Sequence, residues 1–254
     1  MKSITKMPSR STTLATALLA LLTSGAQAAL IAHYEFTDGS ALLDSSAEGN
    51  DLTLANIGTN IDFTGDFASF QGSEIADFDY LVAPNFGFSA ASDAWSLQFE
   101  VRDPGGLGGP HPTAAGVISS HIDAGPDSWQ LDSTETAPGA IDESSAGVNN
   151  DGGADGAIIG DLSDGNWHTI LLAHEADATT VTTYFDGALV NPTTLDWEPG
   201  RVTLKTMTLG TNRGENLQAS VDLDNVMVWN TAIPEPSSLM LLGLGALFLR
   251  RRSR

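Results

Sequence analysis

Cysteine does not occur in this 254-residue chain, and basic residues are scarce: 11 Lys and Arg stand against 32 Asp and Glu, a formal charge of −21 at pH 7. The first absence excludes a disulfide framework and a thiol nucleophile, so any folded domain must be held by its core. The second excludes polyanionic partners, because nucleic acid and anionic lipid surfaces both require cationic neutralisation. Seven of the basic residues lie at the two ends. Between Leu30 and Ile233, a stretch of 204 residues, 31 acidic residues face four basic ones, a net charge of −27. Such acidity suits solubility in a salty medium, or divalent-cation binding by some of the carboxylates. Helical periodicity is missing too: outside the ends, no segment offers ten residues with helical spacing. Also missing are a G-x-S-x-G elbow, an H-E-x-x-H pair and a phosphate-binding loop. Carboxylate pairs such as Ile141-Asp-Glu143 and Asp222-Leu-Asp224 are expected by coincidence in so acidic a chain. The sequence therefore reads as noncatalytic.

What is present begins at the ends. Lys2, Lys6 and Arg10 precede an apolar run from Leu14 to Leu22, and Ala26 and Ala28 place small residues at the −3 and −1 positions of a signal peptidase site. Residues 1–28 read as a signal peptide, cleaved before Ala29. At the other end "PEPSSLMLLGLGALFLRRRSR" carries an apolar run from Leu239 to Leu249. With its two serines this spans roughly 20 Å as a helix, short of the ~30 Å hydrocarbon layer, and it has no polar face for a soluble core helix. Pro234 and Pro236 disconnect it from what precedes. Arg250, Arg251, Arg252 and Arg254 would stay on the cytoplasmic side, which places the body of the protein outside. This tail resembles the PEP-CTERM sorting signal of Gram-negative bacteria. The resemblance implies an exosortase-type enzyme that recognises Pro234, Glu235 and Pro236 and passes the protein to the cell surface or extracellular matrix. Residues 234–254 are thus read as a sorting segment with a short transmembrane helix, and 29–233 as one domain.

Within that domain the period is two. "WSLQFEV" puts Trp95, Leu97, Phe99 and Val101 on one face and Ser96, Gln98 and Glu100 on the other, as in a half-buried antiparallel strand. "NWHTILLAHE" and "VTTYFDGALV" read as a three-strand meander whose tight hairpin is set by Asp186-Gly187. "VTLKTMTLG" and "VDLDNVMVW" supply further strands. Gly, Pro and Asp crowd residues 102 to 160, where short strands are expected at "GVISS", "SWQLD" and "GAIIG" between long loops. The fold class is all-β, a sandwich or barrel.

The order "LIAHYEF…DSSAEGNDLTL", "FASFQGSE…YLV", "WSLQFEV", "GVIS", "GNWHTILLAHE", "TTVTTYFDGALV", "MTLG", "DLDNVMVWNTAI" resembles LamG-like (laminin G type 3) domains of the concanavalin A-like lectin/glucanase superfamily. The resemblance implies a jelly-roll sandwich of two antiparallel sheets that binds carbohydrate or a glycosylated partner. It also implies a calcium site: Asp44 opens the loop and Asp224 lies in the last strand, with Asn50, Asp51 and Asp222 as further oxygen donors. Ala47 and Glu48 depart from the family's usual Gly-Asn. Asp44 has a plainer role open to it, accepting turn hydrogen bonds from Ser46 or a nearby amide. The superfamily's glucanases use E-x-D-x-x-E or E-x-D-x-E strands, and neither occurs here. Trp167 reads as core. His168 and His174 share a strand face roughly 20 Å apart, too far to chelate one ion. The expected function is noncatalytic glycan binding at the cell surface; the alternatives are a purely structural matrix component and a glycoside hydrolase.

Overall fold

The computed structural model describes residues 28–37, 39–55, 61–71, 79–88, 92–104, 115–121, 129–133, 140–142, 158–162, 164–190, 204–212 and 218–233. Both expected terminal helices, with Ala26 and the arginine cluster, lie outside the described residues, as does most of the Gly- and Asp-rich stretch between 102 and 160. Among the described residues there is no helix, and none long and apolar enough to cross a membrane.

Among the described residues, fifteen strands form two antiparallel sheets. The larger runs in the order β13 (Ala188–Leu189), β12 (Val181–Phe185), β11 (His168–His174), β6 (Trp95–Arg102), β15 (Asp222–Trp229), β4 (Ala68–Phe70), β3 (Ile61–Asp62). Its eighth strand, β1 (Leu30–Tyr34), shares an edge of β15 with β4: β4 pairs at Asp222 and Leu223, β1 at Val226 to Trp229. The second sheet runs β10 (Ile158–Asp161), β9 (Ala140–Asp142), β8 (Trp129–Ser133), β7 (Ala115–His121), β14 (Thr206–Leu209), β5 (Tyr80–Val82), β2 (Thr53–Ala55).

The alternation in β6 is realised as expected. Trp95, Leu97, Phe99 and Val101 are fully buried and meet Leu81, Ile118, Leu131, Met207 and Leu209 of the second sheet in one apolar cluster. Among the described residues, the members of that cluster run from Ala32 to Val228. β11 lies between β6 and β12, and its apolar run "ILLA" is buried on both faces. The meander β11–β12–β13 forms, and Asp186 and Gly187 turn its hairpin at φ 50° and 75°. Both lie in the left-handed region that Asp and Gly enter most easily. Within the described part of the expected "VTLKTMTLG" strand, Thr206–Leu209 is regular and Leu204 adds an isolated bridge to Phe88.

Residues opposite one another in antiparallel strands share a face. From Arg102↔Asp222, Glu100↔Asp224, Gln98↔Met227 and Ser96↔Trp229 it follows that these eight side chains stand on the outer face of the larger sheet, away from the core. The sheet also has two ends. Trp95, Ser96, Trp229 and Leu30 mark one; Arg102, Asp222 and His168 mark the other. The seven steps of β6 put about 23 Å between them.

Candidate functional site

β15 does not run straight. Its buried apolar positions are Leu223, Val226 and Val228, so the apolar spacing slips from two to three across Asn225. The pairing with β6 shifts register between Asp224 and Met227, and Asn225 takes φ 48°. This is a β-bulge in an inner strand, the device by which sheets re-aim a side chain. Asn tolerates the left-handed backbone better than most residues. The Asn225 side chain lies on the outer face, where Nδ2 donates to Glu100 Oε2 at 3.2 Å and to Asp224 Oδ2 at 3.3 Å. Its Oδ1 stands 3.4 Å from His33 Nε2 on β1 and accepts from the tautomer protonated there. The Asn225 amide donates to Asp224 Oδ1 at 2.7 Å.

Four polar side chains from three neighbouring strands are thereby linked through one amide. Partial burial pushes the Asp224 carboxyl up to about 6 and outweighs the Asn225 amide; the charges of Glu100 and Glu35 push the same way. The half-buried Trp229 stands farther along the same face. A partly desolvated set of fixed donors and acceptors of this kind can hydrogen-bond the hydroxyls of a polar ligand.

The candidate cation ligands part into three groups. Asp44 accepts from the His33 amide at 2.9 Å, the Ser46 amide at 2.8 Å, the Ser46 hydroxyl at 2.8 Å and the Asn50 amide at 2.9 Å. Burial works against its charge, yet the amides of Ser46, Asn50 and His33 hold its carboxyl below the usual range. Asp51 accepts from the Asp44 amide, and Asn50 Nδ2 donates to the Ile31 carbonyl at 2.6 Å. These bonds lash the loop along the free edge of β1, which would otherwise expose unpaired backbone. Ala47 in this loop sits at φ 76°.

Asp222 belongs elsewhere: it is 1 % exposed and its Oδ2 accepts from Arg102 Nε at 2.7 Å. Asp224 belongs to the bulge cluster. Among the described residues no three His, Cys, Asp or Glu side chains form a group that could hold a metal ion. This arrangement does not fit the calcium site implied by the resemblance, because Asp44 is turned to amides and Asp222 to a guanidinium.

Trp167 is not a core residue. It is half-buried, and the Arg102 guanidinium lies 4.7 Å from its ring centroid and 4.9 Å from that of Phe67; the two rings meet edge to face at 5.6 Å. His168 faces the other way, as strand alternation requires, with Nδ1 2.8 Å from Asp186 and Nε2 3.0 Å from Asp164. Burial works against its charge, but hydrogen bonds to Asp186 and Asp164 raise its pKa. His174 is fully buried, its ring nitrogens 2.9 Å and 3.1 Å from the carbonyls of Asp93 and Ala178. Both histidines are structural.

Strand-face reasoning already put Glu100 on the polar side of β6, but the sequence reading singled out neither it nor His33 and Asn225. The parity change from Leu223 to Val226 was the available signal for the bulge.

The comparison with curated proteins gives no match. Among solved structures, the chain is similar to domain 4 of the extracellular arabinanase AbnA of Geobacillus stearothermophilus, solved with arabinotriose. There the TM-score is 0.52 at 16 % identity, covering 82 % of this chain and 96 % of that one. Trypanosoma rangeli sialidase in complex with sialic acid gives 0.57 at 15 % identity, covering 81 % of this chain but only 31 % of the sialidase. The binding domain of botulinum neurotoxin DC with rat synaptotagmin II gives 0.53 at 12 %, covering 85 % and 51 %. Likenesses at this identity establish the fold alone, one shared by carbohydrate-binding domains and glycoside hydrolases. The PEP-CTERM protein-sorting motif matches residues 232–254, which indicates export, membrane-associated sorting and processing by an exosortase-type enzyme. A family profile matches residues 77–237, well over half of the chain, and with the two-sheet antiparallel fold it shows that this protein belongs to the concanavalin A-like lectin/glucanases superfamily.

Proposed function

We propose that the domain is a noncatalytic glycan-binding module carried to the cell surface or extracellular matrix by its sorting tail, and that its ligand lies on the outer face around Asn225. The supporting observation is the bulge itself. A left-handed Asn in an inner strand costs backbone energy and contributes nothing to the core, yet it holds one amide between Glu100, Asp224 and His33. The net charge of −27 favours neutral or cationic sugars over acidic polysaccharides.

A glycan array probed with the Ala29–Ile233 segment tests this reading. Binding should disappear in Asn225→Gly, which keeps the left-handed backbone and removes only the amide. Silence of the wild type toward neutral and acidic polysaccharides, with and without calcium, would favour the purely structural matrix role instead.

A second reading has one observation behind it. Glu100 and Asp224 are directly opposed carboxylates on adjacent strands, and Asp224 is the one held up to about 6. Paired carboxylates in unequal surroundings are also how glycoside hydrolases divide acid and base roles. Reducing-sugar release that is lost in Glu100→Gln would replace the noncatalytic reading.

A further inference from the structure

The chain leaves the fold under restraint. β15 ends at Trp229, and four residues later Ile233 directly precedes Pro234 of the sorting tripeptide. Ser96 belongs to the polar face of β6, where alternation predicts solvent, yet it is fully buried. Its hydroxyl donates to the Thr231 carbonyl at 2.9 Å and accepts from the Ile233 amide at 2.8 Å. One step upstream, the Ala29 amide donates to Asn230 Oδ1 at 3.0 Å and the Asn230 amide donates to the Ala29 carbonyl at 3.2 Å. Ala29, the expected first residue after signal cleavage, and the last residues before the sorting segment are therefore fastened together, at the same end of the sheet.

We propose that Ser96 is a clamp that restrains processing of the sorting segment: the exosortase-type enzyme can act only on chains in which Thr231 to Ile233 have left Ser96. The inference rests on the reading of the tail as that enzyme's substrate. Enzymes that cut polypeptides take up extended chain on both sides of the target and attack folded proteins through locally opened states. Here the recognition tripeptide follows a hydrogen-bonded residue with no spacer between them. Engaging anything upstream of Pro234 breaks the two Ser96 bonds. When opening is fast relative to cutting, the processing rate follows the opened population. The clamp thus keeps a folded domain on its membrane segment until the enzyme captures an opened tail. It also turns the pole bearing Ala29, Ser96 and Asn230 toward the bilayer, with the pole bearing Arg102 and Asp222 away from it.

The test uses the full-length chain in a host that carries the processing enzyme, with removal of the tail followed by mass after a pulse of synthesis. Four proteins are compared: wild type, Ser96→Ala, wild type with a four-residue Gly-Ser spacer between Ile233 and Pro234, and the two changes combined. Loss of two hydrogen bonds should speed processing about 5- to 150-fold in Ser96→Ala. The spacer alone should give a comparable increase and should erase any further effect of Ser96→Ala. Resistance of the domain to an added protease checks that Ser96→Ala remains folded; if it does not, the spacer protein, whose folded residues are all unchanged, decides. Wild-type rates in both single variants, with the tail still removed, overturn the clamp and leave the exosortase reading standing. Retention of the tail in all four proteins overturns both.

Discussion

Replacing Arg102 by Met removes the counter-charge of a buried carboxylate. Asp222 is 1 % exposed; its Oδ2 accepts from Arg102 Nε at 2.7 Å, and its Oδ1 has no hydrogen-bond partner among the described residues. Breaking such a pair from one side costs about 3 to 5 kcal/mol, because the remaining charge stays buried without compensation. The contacts of the guanidinium with Phe67 and Trp167 add about 0.5 to 1 kcal/mol each at a partly exposed site. The Arg102 side chain is 29 % exposed, so water entering the gap recovers part of this. A net loss of about 3 to 4 kcal/mol is expected. For a domain of this size it lowers the melting temperature by roughly 10 °C.

The assay is thermal and urea unfolding of the Ala29–Ile233 segment, in Arg102→Met and in the double variant Arg102→Met with Asp222→Leu. The double variant removes both charges and should return to within about 1 kcal/mol of wild type, since a well-packed apolar pair often equals a buried ion pair. A single variant that loses less than about 1 kcal/mol, or a double variant that is the least stable of the three, would refute the reasoning.

Three further outcomes are expected. Asp224 is held above its ordinary value, so the folded state binds its proton more tightly than the unfolded chain does; the stability this brings is complete below about pH 4 and is lost as the pH rises through about 6. Asp224→Asn should accordingly be more stable than wild type at pH 7, by about 1 kcal/mol after allowance for screening, with a flatter stability profile between pH 4 and 6; lower stability at pH 7 by urea unfolding would contradict the site electrostatics. Ala47→Gly should raise stability by about 0.5 to 1 kcal/mol, since a left-handed Ala costs roughly 1 to 2 kcal/mol and Gly gives back only part of that in the unfolded chain; a lower melting temperature would show that the loop needs its methyl group. A chelator should leave the melting temperature unchanged, because Asp44 and Asp222 already have protein partners; a fall of several degrees, restored by calcium, would reinstate the cation.

Much of the chain could be read by inspection because the relevant physics is local. Alternation in "WSLQFEV" depends on neighbours two residues apart, the Asp186-Gly187 turn on two backbone angles, and the C-terminal sorting motif on a short run of proline, apolar and arginine residues. The all-β class follows from these alone. Trp167 was misread for the opposite reason. An aromatic beside a strand looks like core, but the partner that draws it outward is Arg102, which lies 65 positions earlier in the chain.

The same contrast divides the whole protein. Sequence alone determined that the chain folds as strands, carries no disulfide and bears a PEP-CTERM sorting motif, since composition, short-range periodicity and a short local motif fix each of these. Which polar residues meet was decided only by tertiary structure. Glu100 reaches Asn225, Arg102 reaches Asp222 and Ser96 reaches Thr231 across separations of 120 to 135 residues, and cross-strand register brings them together. A one-residue bulge in β15 changes which side chains share a face. The buried hydroxyl of Ser96 makes the point most plainly: alternation assigns it to solvent, and a returning segment of the same chain covers it.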